Sequence, residues 1–187
     1  MLLAAGSATR FGSDKRRALL PDGRTLLQTT LDVIGKTGLP LLVCLQAEDA
    51  ALAEELTGRG VHGVCCRRAG EGMGSTLAEG ILSAPTGWNG VLVALADMAW
   101  VRPSTYSTIA RALSAATIVQ PEWRGTPGHP VGFGRQWFGD LAVLSGPRGA
   151  RSVLDAYPDQ LRSLPVDDPG ILADVDTPEQ LRSLGSE

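Results

Sequence analysis

The chain is poor in the residues that mark several common protein classes. Its three cysteines, Cys44, Cys65 and Cys66, form an odd set without C-x-x-C spacing. That argues against a disulfide framework and a thiolate zinc site, and makes a reducing cytoplasm the expected compartment. Cys44 and Cys65 lie in apolar runs and are expected in the core. No stretch approaches the roughly 18 consecutive apolar residues of a membrane span. The polar segment 6–15 interrupts the apolar start, so no signal peptide is expected either. Positive charge is not in excess: 17 Lys and Arg against 20 Asp and Glu give a formal net charge of -3. A nucleic-acid-binding surface would need clustered basic residues, so the pairs Arg16-Arg17 and Arg67-Arg68 read as solvated surface charge. Histidine is scarce, and of the two, His62 and His129, His62 reads as a structural hydrogen-bonder. No internal repeat or low-complexity tract is present.

What is present suits one domain, 1–187, long enough to bury a full sheet. Short, nearly continuous apolar runs at 2–5, 41–45, 61–65, 91–95 and 117–120 predict strands buried on both faces. Between them, 25–34, 49–56, 75–82 and 103–113 carry apolar residues at helical spacing. Thr25 with Gln28, and Thr177 with Gln180, have capping-box spacing, and Pro178 suits a first helical position. Strand–helix alternation predicts an α/β fold with three layers and a mostly parallel sheet. After Gln120 the pattern changes: 122–130 is rich in Gly and Pro, followed by an apolar 131–133 and a helical stretch at 136–144. This reads as a small C-terminal hairpin and helix insertion over the sheet edge.

The most informative segment is Leu3-Ala4-Ala5-Gly6-Ser7-Ala8-Thr9-Arg10-Phe11-Gly12, followed by Asp14 and Lys15. A strand ends at Ala5, and small residues then leave backbone N–H groups free to face an anion. Flanked by Arg10 and Lys15, such a turn can cradle a triphosphate at the carboxyl ends of the strands, where open α/β sheets bind ligands. It is not a Walker A loop, since five residues separate Gly6 from Gly12 and Ser13 follows. G-x-G-x-x-G is absent as well. Asp97 directly follows the apolar run ending at Ala96, so its carboxylate should emerge at the same edge. Magnesium takes a few carboxylates and fills its shell with phosphate oxygens.

The pattern L-A-A-G-x-x-x-R-x-G-x-x-K resembles the signature of the MobA-like nucleotidyltransferases, which include molybdenum-cofactor cytidylyltransferases. The resemblance continues through Gly72-Met73-Gly74-Ser75-Thr76-Leu77, Ala96-Asp97-Met98, Gly128-His129-Pro130-Val131 and Asp174-Val175-Asp176-Thr177-Pro178. It implies a Rossmann-like fold of the nucleotide-diphospho-sugar transferase type. It also implies transfer of an NMP unit from an NTP to a phosphate-bearing acceptor such as molybdopterin, with release of pyrophosphate. Arg10, Lys15 and Asp97 are the implied catalytic residues. Leu3, Ala4, Ala5, Gly6 and Ser7 would join them around the nucleotide, with Gly72, Met73, Gly74 and Ser75 at the base. Asp97 and Asp176 would hold Mg2+, with Asp174 the weaker candidate. His129 and Arg148, the latter on a second glycine-rich turn, would face the acceptor.

Within the family the Ala-Ala-Gly form ending at Gly6 resembles the cytidylyl branch and Ala-Gly-Gly the guanylyl branch, so CTP is favoured over GTP. A transient contact with a cofactor-accepting enzyme is implied; nucleic acid and membrane are not. Two departures stand out. Ala99-Trp100 follows the Asp-Met pair where relatives have proline, and Thr126-Pro127 replaces the basic residue before Gly-His-Pro. Both lie where the resemblance puts the acceptor. An isoprenoid-precursor or sugar-phosphate nucleotidyltransferase, or a catalytically inactive nucleotide-binding regulatory protein, remains an alternative.

Overall fold

The structure, a computed structural model, describes residues 1–6, 14–175 and 180. These contain strands β1 (Leu2–Leu3), β2 (Leu42–Gln46), β3 (His62–Cys66), β4 (Gly90–Leu95), β5 (Ile118–Trp123), β6 (Thr126–Pro127), β7 (Val131–Gly134) and β8 (Leu161–Pro165). The helices are α1 (Leu26–Gly35), α2 (Ala50–Gly58), α3 (Met73–Leu82), α4 (Pro103–Ala112), α5 (Phe138–Ala142) and α6 (Arg151–Ala156). The strands form one eight-stranded sheet in the order β3-β2-β1-β4-β7-β5-β6, with β8 also paired to β5.

Strand alternation explains why the apolar runs are continuous. Leu3, Leu42 and Cys44 face one cluster with Leu77 and Ile81 of α3, Leu141 of α5 and Leu154 of α6. Leu2, Val43 and Leu45 face the other, with Leu27 and Leu31 of α1, Leu56 of α2 and Tyr106 of α4. Adjacent residues thus point to opposite helical layers, giving three layers. The same period corrects one expectation. On β3 it is Cys66 that is fully buried, while Cys65 is only half-buried, because Cys66 shares the face of Val64 turned toward α3. All three cysteines are free thiols.

The helices expected at 25–34, 49–56, 75–82 and 103–113 form, whereas Thr177 and Pro178 lie outside the described residues. The first of them, α1, begins at Leu26. Thr25 caps it: its hydroxyl accepts from Gln28 N at 3.1 Å, and the Gln28 side chain accepts from Thr25 N at 2.9 Å. The start of α4 is capped from the far end of the chain. The buried Asp168 carboxylate accepts from Arg102 N at 2.8 Å, from the Thr105 hydroxyl at 2.5 Å and from Gly170 N at 3.0 Å.

The segment expected over the sheet edge is different. β5 and β6 do form a hairpin, but β7 inserts between β4 and β5, antiparallel to both. A glycine at the end of β7 allows close passage. A Cβ on Gly134 would lie 2.1 Å from the Ser114 carbonyl oxygen and 2.3 Å from that of Ala115. The helical stretch 136–144 is a 3-10 turn over 135–137 leading into the five-residue α5. β8, which pairs in parallel with β5 from Ile118 to Glu122, has no counterpart in the expected strands.

β1 lies between β2 and β4, parallel to both. The residues just beyond the three strands, 4–6, 47–49 and 96–98, therefore share one edge of the sheet.

Candidate active site

Asp97 is held at this edge through its backbone neighbours. Ala96 N donates to the Leu3 carbonyl at 3.1 Å, and the Ala96 carbonyl accepts from the buried Thr30 hydroxyl of α1 at 3.1 Å. The Asp97 carbonyl accepts from Val175 N at 3.2 Å. None of these bonds involves the carboxylate, which is free to meet other groups.

Lys15 comes from the 3-10 turn Lys15–Arg17, whose start is capped by Asp14 through a bond from Arg16 N. Its ammonium donates to Asp97 Oδ2 at 3.0 Å, with the two side chains 14% and 30% exposed. The other oxygen, Asp97 Oδ1, is buried and has no hydrogen-bond partner among the described residues. A buried anionic oxygen without a donor is costly, and such a group suits a cation ligand. The donor set therefore fits a hard divalent ion, which takes carboxylate oxygens and completes its shell with phosphate. Among the described residues no group of three or more His, Cys, Asp or Glu side chains could hold a metal by itself. Asp176 lies outside the described residues, as do Ser7 and Arg10. Val175, bonded to Asp97, brings the chain to this edge one residue before Asp176.

The side chains of Leu3, Ala4 and Ala5 are buried, so whatever they offer a ligand is backbone. Ala4 N already donates to the Cys44 carbonyl at 2.8 Å, and the Ala5 carbonyl accepts from the Gln46 side chain at 3.3 Å. Gly6 is exposed.

The Gly72 turn is zipped to the second glycine-rich turn. Gly74 N donates to the Gly146 carbonyl at 2.8 Å, and Gly146 N donates to the Ser75 hydroxyl at 3.3 Å. Gly72 has φ 122, a conformation reserved for glycine, and a Cβ there would lie 2.7 Å from Gly146 backbone. Ser75 differs from the expectation of a base-facing hydroxyl. It is fully buried, and its hydroxyl donates to Glu71 at 2.9 Å while accepting from Gly146 N. It therefore joins two loops. Met73 is 42% exposed and lies beside Gly149 of the second turn. Arg148 is on the same second turn, with its guanidinium paired to Asp155 at 2.6 Å. The structure thus groups Arg148 with the Gly72 turn.

His129 sits with the acids. Its backbone N–H donates to the Ile171 carbonyl at 3.1 Å. Burial holds its imidazole below the ordinary value, against the opposing pull of Asp97 and Asp174, so it is uncharged at neutral pH. Because the folded state disfavours the proton, its contribution to stability is complete above 6.5 and is lost as pH falls through the lower folded value. Unfolding followed by denaturant at a series of pH values should show a steeper loss below 6.5 in the wild type than in His129→Gln.

One residue of this edge was missed. Arg16, expected on a solvated surface, is 11% exposed and bonded to Asp14, Asp49 and the Ala4 carbonyl. Nothing in the Arg16-Arg17 pair itself announces this, because Asp49 is 33 residues away.

A cavity of about 580 Å³ opens at the opposite, amino-terminal edge of the strands, lined by Leu41, Trp88, Val91, Tyr106 and Leu113 among others. Among the described residues no charged side chain lines it.

The sequence profile described as MobA-like NTP transferase domain matches residues 1–161. No curated protein gives a significant match. Among solved structures, Rv0371c from Mycobacterium tuberculosis H37Rv is 28% identical, with a TM-score of 0.83 over 100% of this chain and 96% of that one. The same protein in complex with manganese gives 26% identity and a TM-score of 0.79 over 100% and 96%. Molybdopterin-guanine dinucleotide biosynthesis protein A from Archaeoglobus fulgidus shares the fold, at 16% identity and a TM-score of 0.70 over 99% and 95%. Among the described residues no helix is long and apolar enough to cross a membrane.

Proposed function

The chain belongs to the MobA-like NTP transferase domain family, and on that premise we propose that it transfers CMP from CTP to a phosphate-bearing acceptor of the molybdopterin type. The observation that carries the reading is the meeting of Lys15 with Asp97 at 3.0 Å, with the second Asp97 oxygen buried and unpartnered among the described residues. A divalent cation, expected to be magnesium, would be held by Asp97 with Asp176 and would supply charge neutralisation at the phosphates. Manganese in the Rv0371c complex is consistent with such a site.

The protein's own groups do the rest. Lys15 and Arg10 bind the phosphate oxygens beside the Gly6 turn, where a nearby cation stabilises charge that develops during transfer. Lys15 and Asp97 neutralise each other across 3.0 Å, and a triphosphate with its cation replaces each partner by one of the same sign. The turns at Gly72 and Gly146 form a joined wall for the base, offering backbone groups and the Met73 thioether. The Ala-Ala-Gly form of the turn ending at Gly6, which resembles the cytidylyl branch, is the feature that favours CTP over GTP. On the acceptor side, uncharged His129 orients the acceptor by hydrogen bonding. An acceptor phosphate oxygen attacks the α-phosphorus in line and pyrophosphate leaves. Such a transfer depends on positioning and charge, and needs no strong base.

Thermal denaturation with CTP, GTP, ATP and UTP, each with and without magnesium, tests the reading. CTP with magnesium should raise the melting temperature most, by mass action. Pyrophosphate release from CTP with a panel of phosphorylated acceptors should follow. Equal response to all four nucleotides, or to none, would count against it.

A further inference from the structure

Lys15 and Arg16 are consecutive, yet they reach in opposite directions across the sheet edge. Lys15 extends to Asp97 beyond β4, whereas Arg16 extends to the end of β1 and the segment beyond β2. A guanidinium has five N–H donors, and Arg16 commits one to each of five protein acceptors. Nε donates to Asp14 Oδ1 at 2.9 Å, and Nη2 to Asp14 Oδ2 at 2.9 Å and Asp49 Oδ1 at 3.1 Å. Nη1 donates to the Ala4 carbonyl at 3.1 Å and to Asp49 Oδ2. Asp49 is itself fixed, accepting from Gln46 N at 3.0 Å. The neighbouring Arg17, by contrast, is 80% exposed. A cation with every donor engaged and two carboxylates around it is not available to bind phosphate. It is an anchor.

We propose that Arg16 is a positioning residue: it ties the turn Lys15–Arg17 to the ends of β1 and β2, and so holds Lys15 against Asp97 for phosphate binding. Its relevance to catalysis rests on the nucleotidyl-transfer reading above, but the anchoring itself does not. Without the guanidinium, Asp14 and Asp49 lose their shared counter-charge, which releases the turn and adds negative charge beside the phosphate loop.

Two readouts test this on the full chain. The first is hydrogen exchange at the amides of Arg17 and Ala18, which donate to the Asp14 and Lys15 carbonyls at 3.0 and 3.1 Å. The second is calorimetric titration with magnesium tripolyphosphate. Arg16→Met should speed exchange at both amides and weaken tripolyphosphate binding by about tenfold or more, the scale of losing hydrogen bonds between charged groups. Arg16→Lys restores the charge with only three donors and should recover part of the affinity. Arg17→Met should leave both readouts unchanged. If Arg16→Met fails to fold, Asp49→Asn, which keeps Arg16, should show both changes at smaller size. Unchanged exchange in Arg16→Met and Asp49→Asn, faster exchange without loss of affinity, or an equal loss in Arg17→Met would overturn the proposal. If the wild type itself binds no tripolyphosphate, the nucleotidyl-transfer reading fails, and the exchange result alone decides whether Arg16 anchors the turn.

Discussion

Replacing Asp97 by alanine is expected to lower turnover about 10²–10³-fold with little change in the fold, the scale for removing one preorganised electrostatic contact. The expectation follows from how the residue is held. Its position depends on backbone bonds, from Ala96 N to Leu3, from Thr30 to the Ala96 carbonyl and from Val175 N to the Asp97 carbonyl. The carboxylate itself contributes an ion pair to Lys15 and one buried oxygen without a partner among the described residues. Truncating the side chain removes a costly unpaired oxygen along with the ion pair, so stability should change little while phosphate chemistry collapses. Lys15→Ala should lose turnover on the same scale. Because both residues act on one charge centre, the double variant should fall well short of the product of the single losses. Pyrophosphate release measured at saturating nucleotide separates these outcomes. Near-normal turnover in both single variants would mean that this pair does not carry the chemistry.

Phe133→Ala should cost about 3–5 kcal/mol of unfolding free energy, the range for emptying a large buried aromatic position. Phe133 is among the largest fully buried side chains and belongs to the cluster that binds α3 and α5 to the sheet. Its strand, β7, is hydrogen-bonded on both sides, pairing Phe133 with Val91 of β4 and with Ile118 of β5. A phenylalanine on a hairpin laid over the sheet edge would lose far less. Urea unfolding with an unchanged denaturant slope would report the stability difference directly. A loss below about 1 kcal/mol, typical of surface positions, would mean that β7 is not a central strand.

The parallel half of the sheet was legible because strands covered on both faces must be apolar throughout, and runs such as Leu42–Leu45 and Val91–Leu95 leave no polar face. The place of β7 was not, because the apolar run 131–133 follows a Gly- and Pro-rich stretch and nothing local to it says that β4 and β5 flank it. β8 has no apolar run to detect, and most of its residues are exposed. The convergence of Lys15 and Asp97, 82 residues apart, was legible because each follows a strand end, and strand ends of a parallel sheet share an edge. Arg16 was misread because its environment is set by Asp49 on a separate loop, a partner that no local pattern announces. Ser75 had the residue type expected to meet a base, but its burial depends on Gly146, 71 residues away.

The cation site proposed at Asp97 would form together with the bound nucleotide beside Lys15. The most direct measurement is a manganese titration followed by electron paramagnetic resonance, in wild type and Asp97→Asn, with and without a non-hydrolysable CTP analogue. Manganese binding should strengthen markedly with the analogue in the wild type and weaken at least about tenfold in the variant, the scale of losing a charged ligand. Equal manganese affinity in the two proteins in the presence of the analogue would contradict it.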